Sequence, residues 1–190
     1  MPKLYVGLVH YPIYNKRMDV IASAVTNFDI HDISRTCRTY DIAKYFIIHP
    51  LDVQRDIVNK ILDYWQNGYG RTYNPDRSDA LDRVCWQPDI EASVRFIEEA
   101  EGKRPYIVTT DARIYPNTVS YKFLRNQLQE GDKPVLLLFG TGFGIEAEAM
   151  KSFDYILEPI YGACDYNHLC VRSAVAIMLD RLVGEAWWEK

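Results

Sequence analysis

The chain has 190 residues, of which 48% are hydrophobic and 25% charged, as in an ordinary globular protein of one large domain. No apolar run reaches the roughly 18 residues that a membrane-spanning helix needs. The formal net charge of −4 argues against a general nucleic-acid coat protein, which is usually basic, but allows an enzyme with a local basic patch.

The first third of the chain predicts strands and helices in alternation. Leu4–His10 is a continuous apolar run, typical of a strand buried on both faces of a parallel sheet, and Tyr45–Pro50 predicts a second such strand. Between them a helix is expected from Asp29 to Tyr40, with Asp29 or Asn27 as its cap. Asp52–Gln66 places its apolar residues on one face and predicts a second helix.

The middle of the chain continues this alternation. The polar segment Arg71–Asp82 is expected to be a loop. It is followed by a predicted strand at Leu81–Trp86, a helix at Asp89–Glu101, a strand at Tyr106–Thr110 and a helix at Ser120–Gln129. Short apolar strands that alternate with helices indicate an α/β fold, with a mainly parallel sheet flanked by helices. Without a repeat or a convincing linker, residues 1–190 are predicted to form a single domain.

The C-terminal part contains the most distinctive pattern. Val135–Phe139 predicts a buried strand, which leads into a loop with three glycines, and Tyr155–Gly162 predicts the last strand. The helix expected at Asn167–Leu182 is apolar on nearly all sides. Such a helix is buried, so we expect the sheet on one side of it and, most simply, a second subunit on the other.

The glycine loop allows three interpretations. Gly140, Gly142 and Gly144 let backbone N–H groups approach a ligand, and Glu158 follows Gly140 at about the distance of a ribose-binding acid in a dinucleotide site. Against a dinucleotide, the spacing is G-x-G-x-G, and the segment from Gly144 to Asp154 is too short for a full crossover helix. The third interpretation is a set of tight turns with no ligand.

Taken in order, the C-terminal segments resemble the SPOUT superfamily of S-adenosylmethionine-dependent RNA methyltransferases. The resemblance rests on the Gly140-Thr141-Gly142 loop, on Ile156-Leu157-Glu158-Pro159-Ile160 with Gly162, and on Asn167-His168-Leu169 with the helix after it. It implies a deep trefoil knot at about residues 105–183 and a homodimer with its active site at the interface. It also implies that the knotted loops hold the methyl donor in a bent form, largely through backbone groups.

The resemblance and the predicted strand ends together indicate a methyl-donor site, in which two residues, Glu158 and Asn167, have alternative roles. Glu158 is expected either to contact the donor's ribose hydroxyls or sulfonium, or to cap the loop, and Asn167 could be a helix cap alone. The expected cofactor-binding residues are Thr109, Thr110, Asp111, Phe139, Gly140, Thr141, Gly142, Glu158, Pro159, Ile160, Gly162, Asn167, His168, Leu169 and Ser173. Arg172, on an apolar helix, needs an anionic partner: a phosphate, a carboxylate such as Glu158, or a group across the dimer.

A second match concerns Asn27 and Arg35, which have the spacing of a motif in the ribose-methylating branch of the family, where the arginine acts on the nucleotide. The expected catalytic residues are Arg35 and Asn27, which the resemblance implies, together with the nearby His31 and Asp32, which belong to a polar cluster that the family pattern does not assign. Asp29 departs from the pattern, since many members have glycine there. Two alternatives stay open: Asp32, Arg35 and Arg38 could form a row of surface salt bridges, and His31 could be structural.

The cysteines and the N-terminus bear on location. Cys37, Cys85, Cys164 and Cys170 lack CxxC spacing, which favours a reducing cytoplasm and gives no reason to expect a metal site. Because the N-terminus leads directly into the first strand, no signal peptide is expected.

The functional hypothesis is methyl transfer from S-adenosylmethionine to RNA, either to a ribose oxygen or to a base nitrogen of tRNA or rRNA. Basic residues that could hold RNA phosphates are Lys16, Arg17, Arg71, Arg77 and Arg83. The alternatives are an NAD-type oxidoreductase that uses the Gly140–Glu158 segment, and a non-catalytic nucleotide-binding or RNA-binding module of the same fold.

Overall fold

A computed structural model describes residues 2–164 and 166–186. The strands are β1 (Leu4–Val9), β2 (Ile13–Tyr14), β3 (Val20–Ile21), β4 (Tyr45–Ile48), β5 (Val84–Gln87), β6 (Tyr106–Thr110), β7 (Thr118–Val119), β8 (Val135–Gly140) and β9 (Tyr155–Leu157). The helices are α1 (Asn27–Thr39), α2 (Asp52–Gln66), α3 (Tyr69–Tyr73), α4 (Pro75–Leu81), α5 (Ile90–Glu101), α6 (Tyr121–Glu130), α7 (Ala147–Met150) and α8 (Val171–Val183). None of the helices in these ranges is long and apolar enough to cross a membrane.

Seven strands form one sheet in the order β5-β4-β1-β8-β6-β9-β7, and every pair of neighbours described is parallel. The predicted α/β fold with a parallel sheet is therefore confirmed. Strands β1 and β8 lie at its centre, and all residues of β1 and all but the last of β8 are buried. This explains their continuous apolar sequences, because a central parallel strand is covered on both faces.

Each face of the sheet has its own apolar core. On one face, buried residues of α1, α2, α6 and α8 pack together, including Ile33, Leu62, Leu124 and Leu179. On the other face, the core includes Val94 and Ile97 of α5 and Met150 of α7. Both cores lie beneath the loops that follow the strands, so these loops stand on a rigid base.

A small antiparallel hairpin, β2–β3, extends from the end of β1. Ile13 is fully buried and forms an antiparallel bridge with Ile145, and the Tyr14 N–H donates to the Gly144 carbonyl at 2.9 Å. The hairpin is therefore joined to the glycine loop by backbone hydrogen bonds. Its tip carries the exposed Lys16 and Arg17.

The sequence-based boundaries were wrong in several places. The segment predicted as a loop, Arg71–Asp82, is mostly helical: Asn74 caps α4 by accepting from the Arg77 N–H, and Pro75 occupies the first turn, where its missing N–H costs nothing. Leu81 therefore ends a helix, and the strand after it begins at Val84. The last strand ends at Leu157 rather than Gly162, because its edge partner β7 has only two residues.

Two predicted helix starts also moved. The cap of α1 is neither Asp29 nor Asn27 but Thr26, whose side chain accepts from the Asp29 N–H at 3.2 Å and donates to the Asp29 carboxylate at 2.6 Å. The Thr26 hydroxyl thus satisfies a free N–H at the start of the helix and also binds the Asp29 side chain. The last helix begins at Val171 rather than Asn167.

Helix α8 packs on α1, α6 and β8 of its own chain. Val175, Met178, Leu179 and Leu182 are buried, whereas Ala176 and Ile177 are half-buried. Much of the cover that the sequence predicted for this helix thus comes from α1 and α6. The knot stays a prediction.

Candidate active site

A cavity of about 930 Å³ opens where β1, β6 and β8 end. The carboxyl ends of parallel strands are where ligands bind in open α/β sheets. Besides the loops after these strands, the wall includes the start of α1 and the segment before α8. The lining residues are His10, Met18, Ser23, Ala24, Thr26, Asp29, Thr110, Asp111, Ala112, Arg113, Phe139, Gly140, Thr141, Gly142, Phe143, Gly144, Pro159, Ile160, Asn167, His168, Leu169, Cys170, Val171, Ala174 and Met178.

The glycine loop, residues 140–144, needs its glycines first of all for packing. A Cβ on Gly142 would lie 2.8 Å from the Tyr14 carbonyl oxygen, and the residue has a φ of 58°. A Cβ on Gly140 would lie 2.9 Å from the Ile145 nitrogen. Both glycines therefore bring the loop close to other backbone. Gly144, with a φ of 99°, has no backbone atom so close: the nearest groups to a Cβ there are the side chains of Asp111 and Arg113, at 3.8 and 4.0 Å.

A chain of hydrogen bonds joins the glycine loop to β1. Thr141 Oγ1 donates to the Val9 carbonyl at 3.0 Å, and its oxygen lies 2.6 Å from Ser23 Oγ. Ser23 Oγ in turn lies 2.9 Å from His10 Nδ1. His10 and Ser23 line the cavity, and the sequence reasoning assigned neither to the site. Their signal was faint: a single histidine at the end of an apolar strand.

Next to Gly144, the loop after β6 contains a carboxylate, Asp111, that already has hydrogen-bond partners. Arg113 holds Asp111 with both Nε and Nη2, at 3.0 and 3.1 Å, and the Tyr115 hydroxyl donates to the same carboxylate at 3.2 Å. Asn167 donates to the Ala112 carbonyl at 3.1 Å and so fixes the segment before α8 to this loop. Two cavity-lining segments are thereby held together without a ligand.

Most residues predicted to bind a cofactor lie in this wall. Eleven of them line the cavity: Thr110, Asp111, Phe139, Gly140, Thr141, Gly142, Pro159, Ile160, Asn167, His168 and Leu169. Four do not. Thr109 is buried against the Leu138 carbonyl, Glu158 accepts from the Tyr121 N–H at 2.7 Å, Ser173 contacts Cys170, and Gly162 is exposed. The carboxylate of Glu158 thus binds the start of α6 in this structure.

The residues expected to be catalytic lie outside the cavity, on α1. Asn27 and Arg35 are exposed, and neither side chain has a hydrogen-bond or ion-pair partner among the described residues. The alternative of a salt-bridge row was wrong. Asp32 pairs with Arg172 at 3.3 Å and Arg38 with Asp79 at 2.5 Å, so Arg35 remains available.

Arg172 finds its anions on α1. Its Nη1 lies 3.1 Å from Oδ1 of Asp29, which is buried in the cavity wall, and its Nε lies 3.3 Å from Asp32. Its guanidinium also lies 5.6 Å from the centre of the Phe28 ring. These contacts explain the acidic residues that the family pattern left unassigned: they tie the first turn of α1 to the first turn of α8.

His31 faces away from the cavity lining, toward α2. Its ring meets the Trp65 ring edge-on at 5.5 Å, and Nδ1 is buried without a partner among the described residues. Burial, followed by the nearby positive charge of Arg77, lowers the pKa of His31. The imidazole is therefore held neutral in a packed environment, which favours the structural alternative for this residue.

The predicted phosphate-binding residues differ in availability. Arg83 is used internally, because it donates to the Ile42 carbonyl and to Asp41. Arg77 lies 4.7 Å from the centre of the Trp65 ring. Lys16 and Arg17, at the tip of the hairpin, and Arg71, on α3, are exposed.

Known protein families, curated proteins and solved structures all include proteins similar to this chain. A family model described as SAM-dependent RNA methyltransferase matches residues 3–184. The chain is 47% identical over 179 residues to an uncharacterized protein from Aquifex aeolicus (strain VF5), a match that covers 94% of this chain and 87% of that protein. It is 42% identical over 183 residues to a tRNA (guanine-N(1)-)-methyltransferase from Oleidesulfovibrio alaskensis, which covers 96% of this chain and 42% of that relative. The chain thus spans less than half the length of the second relative.

Among solved structures, TrmJ from Z. mobilis ZM4 superposes with a TM-score of 0.59 at 13% identity, over 97% of this chain and 69% of that one. At this identity the likeness shows a shared fold alone. None of these matches supports the oxidoreductase alternative.

Proposed function

Because the chain belongs to the SAM-dependent RNA methyltransferase family, we propose that the cavity beside the glycine loop binds S-adenosylmethionine and that α1 presents a nucleotide of RNA to it. The observation that carries the proposal is the cavity itself. It lies at the carboxyl ends of β1, β6 and β8, and the segments that resemble the family's donor-binding loops form its wall.

The residues present suit such a cofactor. A cavity of about 930 Å³ is of the size that holds a small organic ligand. Phe139, Pro159, Ile160 and Leu169 give it apolar surface for a ring, and the backbone at Gly144 is open to a close approach. S-adenosylmethionine, when bound, supplies a methyl group that its sulfonium already activates.

The chain's own part is alignment and charge. The acceptor, the methyl carbon and the sulfur must lie in line, and rigid loops lower the entropic cost of holding them there. Arg35 is exposed and its side chain has no partner among the described residues, so its guanidinium can hold a phosphate in a bidentate manner beside the reacting nucleotide. The bridge from Arg172 to Asp29 and Asp32 fixes α1, and with it Arg35, relative to the cavity wall.

The substrate class that we propose is tRNA. Its support is the printed name of the Oleidesulfovibrio relative. Since the chain spans less than half of that relative, the name supports tRNA and does not identify guanine N1 as the acceptor atom. We further propose a homodimer that covers the half-buried Ala176 and Ile177 of α8, as the resemblance implies. Light scattering on the purified chain tests the dimer.

One experiment separates the three functional hypotheses. The purified chain is titrated by calorimetry with S-adenosylmethionine and with NAD, and is then incubated with bulk tRNA, bulk rRNA and donor that carries a labelled methyl group. We expect binding of S-adenosylmethionine but not of NAD, and label in tRNA. Binding of NAD alone contradicts the proposal. Donor binding with no labelled RNA supports the non-catalytic module instead.

A further inference from the structure

His10 leaves one hydrogen-bonding atom unused in the cavity wall. The residue is fully buried at the end of β1, and Nε2 has no partner among the described residues. A buried polar atom without a partner is unfavourable, because it has given up its hydrogen bond to water. His49, whose ring centre lies 5.8 Å away, makes a sharp contrast: its Nδ1 accepts from the Leu51 N–H at 3.0 Å, and its Nε2 lies 3.1 Å from the Ser23 carbonyl.

One arrangement of these hydrogen bonds places the proton of His10 on Nδ1. In it, the Thr141 hydroxyl donates to the Val9 carbonyl at 3.0 Å, and the Thr141 oxygen accepts the Ser23 hydroxyl proton at 2.6 Å. Ser23 Oγ then accepts from His10 Nδ1 at 2.9 Å, which leaves a bare lone pair on Nε2.

The ring also stays neutral. Burial, with the nearby His49 as the second cause, lowers the pKa of His10 to about 4. Near pH 7 the ring is therefore uncharged, and with its proton on Nδ1 it presents Nε2 as an acceptor with no donor among the described residues.

We propose that His10 Nε2 accepts a hydrogen bond from an O–H or N–H group of the bound methyl donor, and that Ser23 and Thr141 orient it for this contact. The inference rests on the proposed function. S-adenosylmethionine carries such groups on its ribose, its adenine and its amino-acid part. A small ligand fits better than RNA, because His10 lies at the buried floor beside the glycine loop: Val9, the residue before it, is the register partner of Gly140.

Nε2 is covered by neighbouring atoms, so a ligand can reach it only if side chains of the cavity wall move. Met18, an exposed residue at a φ of 64° on the hairpin, belongs to the same wall. Its unbranched side chain can rearrange at low cost. The proposed contact thus also couples donor binding to the hairpin.

Two substitutions at His10 separate the proposed contact from a purely structural role. His10→Asn keeps an N–H near the place of Nδ1, and so keeps the bond to Ser23, but has no atom at the place of Nε2. His10→Gln places its carbonyl oxygen near Nε2 and loses the bond to Ser23. We expect His10→Asn to weaken S-adenosylmethionine binding about tenfold and His10→Gln to weaken it less, measured by calorimetry. The reverse order, or equal affinity for wild type and His10→Asn, overturns the proposal.

A set of donor analogues identifies the bonded group. Analogues of S-adenosylhomocysteine that each lack the 2′-hydroxyl, the 3′-hydroxyl, the 6-amino group or the α-amino group are titrated into wild type and His10→Asn. One of these deletions should weaken binding to wild type and have no further effect on the variant, as in a double-mutant cycle. If every deletion weakens both proteins by the same factor, His10 does not contact the donor.

Nitrogen-15 spectra of the wild-type histidines test the proposal even if the variants fail to fold. We expect a pyrrole-type Nδ1 and a pyridine-type Nε2 for His10 at pH 7, and a shift of the Nε2 resonance toward the hydrogen-bonded position when S-adenosylmethionine is added. The opposite tautomer, or an unchanged resonance at saturation, overturns the proposal. A wild-type chain that does not bind S-adenosylmethionine contradicts the proposed function itself, so the two failures are distinct.

Discussion

Two regions beside the cavity are built in opposite ways. The loop wall, which is residues 139–145 with strands β2 and β3, is held by backbone contacts such as those of Tyr14 with Phe143 and Gly144. The helix face, which is Asn27 and Arg35 of α1, has exposed side chains with no partners among the described residues.

The difference follows from what each region would meet. A small ligand cannot organise a loop at low cost, so a site for one is best formed in advance. RNA, in contrast, binds through its many phosphate charges. An exposed arginine can pair with these phosphates, and it stays hydrated in the free protein. The loop wall therefore suits a methyl donor, and the helix face suits RNA.

The largest effect is expected on the helix face. Arg35→Ala should lower kcat/KM for methyl transfer about 1,000-fold, because a charge positioned at the reacting nucleotide is lost, while S-adenosylmethionine affinity stays within about twofold. Steady-state kinetics and calorimetry measure the two. Arg38→Ala, on the same helix but paired with Asp79, is the matched control and should change kcat/KM little. Normal turnover in Arg35→Ala removes this residue from the site.

The second-largest effect is expected from a substitution in the loop wall. Gly142→Ala should destabilise the fold by about 3 kcal/mol and weaken S-adenosylmethionine binding, because a Cβ would meet the Tyr14 carbonyl oxygen at 2.8 Å. Urea unfolding measures the loss. Gly102→Ala is the control: its φ of 71° is similarly positive, but nothing lies within 4 Å of a Cβ there. Equal losses in both variants would mean that backbone strain, rather than the contact with the hairpin, explains the glycine.

Acid should weaken the loop wall through His10. Its folded pKa of about 4 lies below the ordinary value of 6.5, so the unfolded chain binds more protons between these values and stability falls as the pH falls through that window. The loss should approach about 2 to 3 kcal/mol near pH 4. Burial is the main cause of the lowered pKa; of the charged neighbours, His49 lowers it further and Asp29 raises it. Urea unfolding at several pH values should show a smaller slope in His10→Asn, and an equal slope contradicts the assignment.

A smaller effect concerns the link between the two regions. Arg172→Ala should destabilise the fold by about 2 kcal/mol, because the buried Asp29 loses its cation, with a discount for the partial exposure of Arg172. Arg172→Lys keeps the charge but not the two-anion geometry, so it should recover part of the loss. Thermal and urea unfolding compare the two, and an unchanged Arg172→Ala protein shows that the bridge is dispensable.

The smallest effect is expected from the exposed aromatic pair on α3. Tyr69 and Tyr73 are 68% and 69% exposed, with ring centres 5.9 Å apart, and α4 lies between their helix and α1. Replacing both with alanine should weaken tRNA binding about tenfold, since stacking of a base on an aromatic ring is of that order. Filter binding measures this loss. Tyr64→Ala, at a less exposed position on α2, is the comparison, and an equal loss there would argue against a specific pair.

Local sequence patterns predicted the sheet and most helices because these elements depend on periodic apolar residues. Leu4–His10 and Val135–Phe139 are predicted correctly as buried strands for this reason. The resemblance to SAM-dependent RNA methyltransferases, carried by segments such as Ile156–Ile160, is confirmed by the family match. Helix α4 was missed because its residues are polar, and its cap at Asn74 looked like a turn.

The site was harder to predict because it depends on contacts between distant segments. Position 142 requires a glycine because the Tyr14 backbone packs against it, although Tyr14 lies 128 positions earlier in the chain. Arg172 pairs with Asp29 rather than with the suggested Glu158. A single sequence does not contain these pairings. The same is true of His10, whose importance appears only when the partners of both ring nitrogens are known.

The position of β8 in the sheet has a consequence for how the chain folds. This strand inserts between β1 and β6, although β1 precedes it by some 130 residues. During synthesis, one edge of β1 stays open until residue 140 leaves the ribosome. Contacts at such separations slow folding, because the loop must be closed before the pairing stabilises it. We therefore expect nascent chains that end before β8 to aggregate through β1 and to acquire protease resistance only once β8 has joined the sheet.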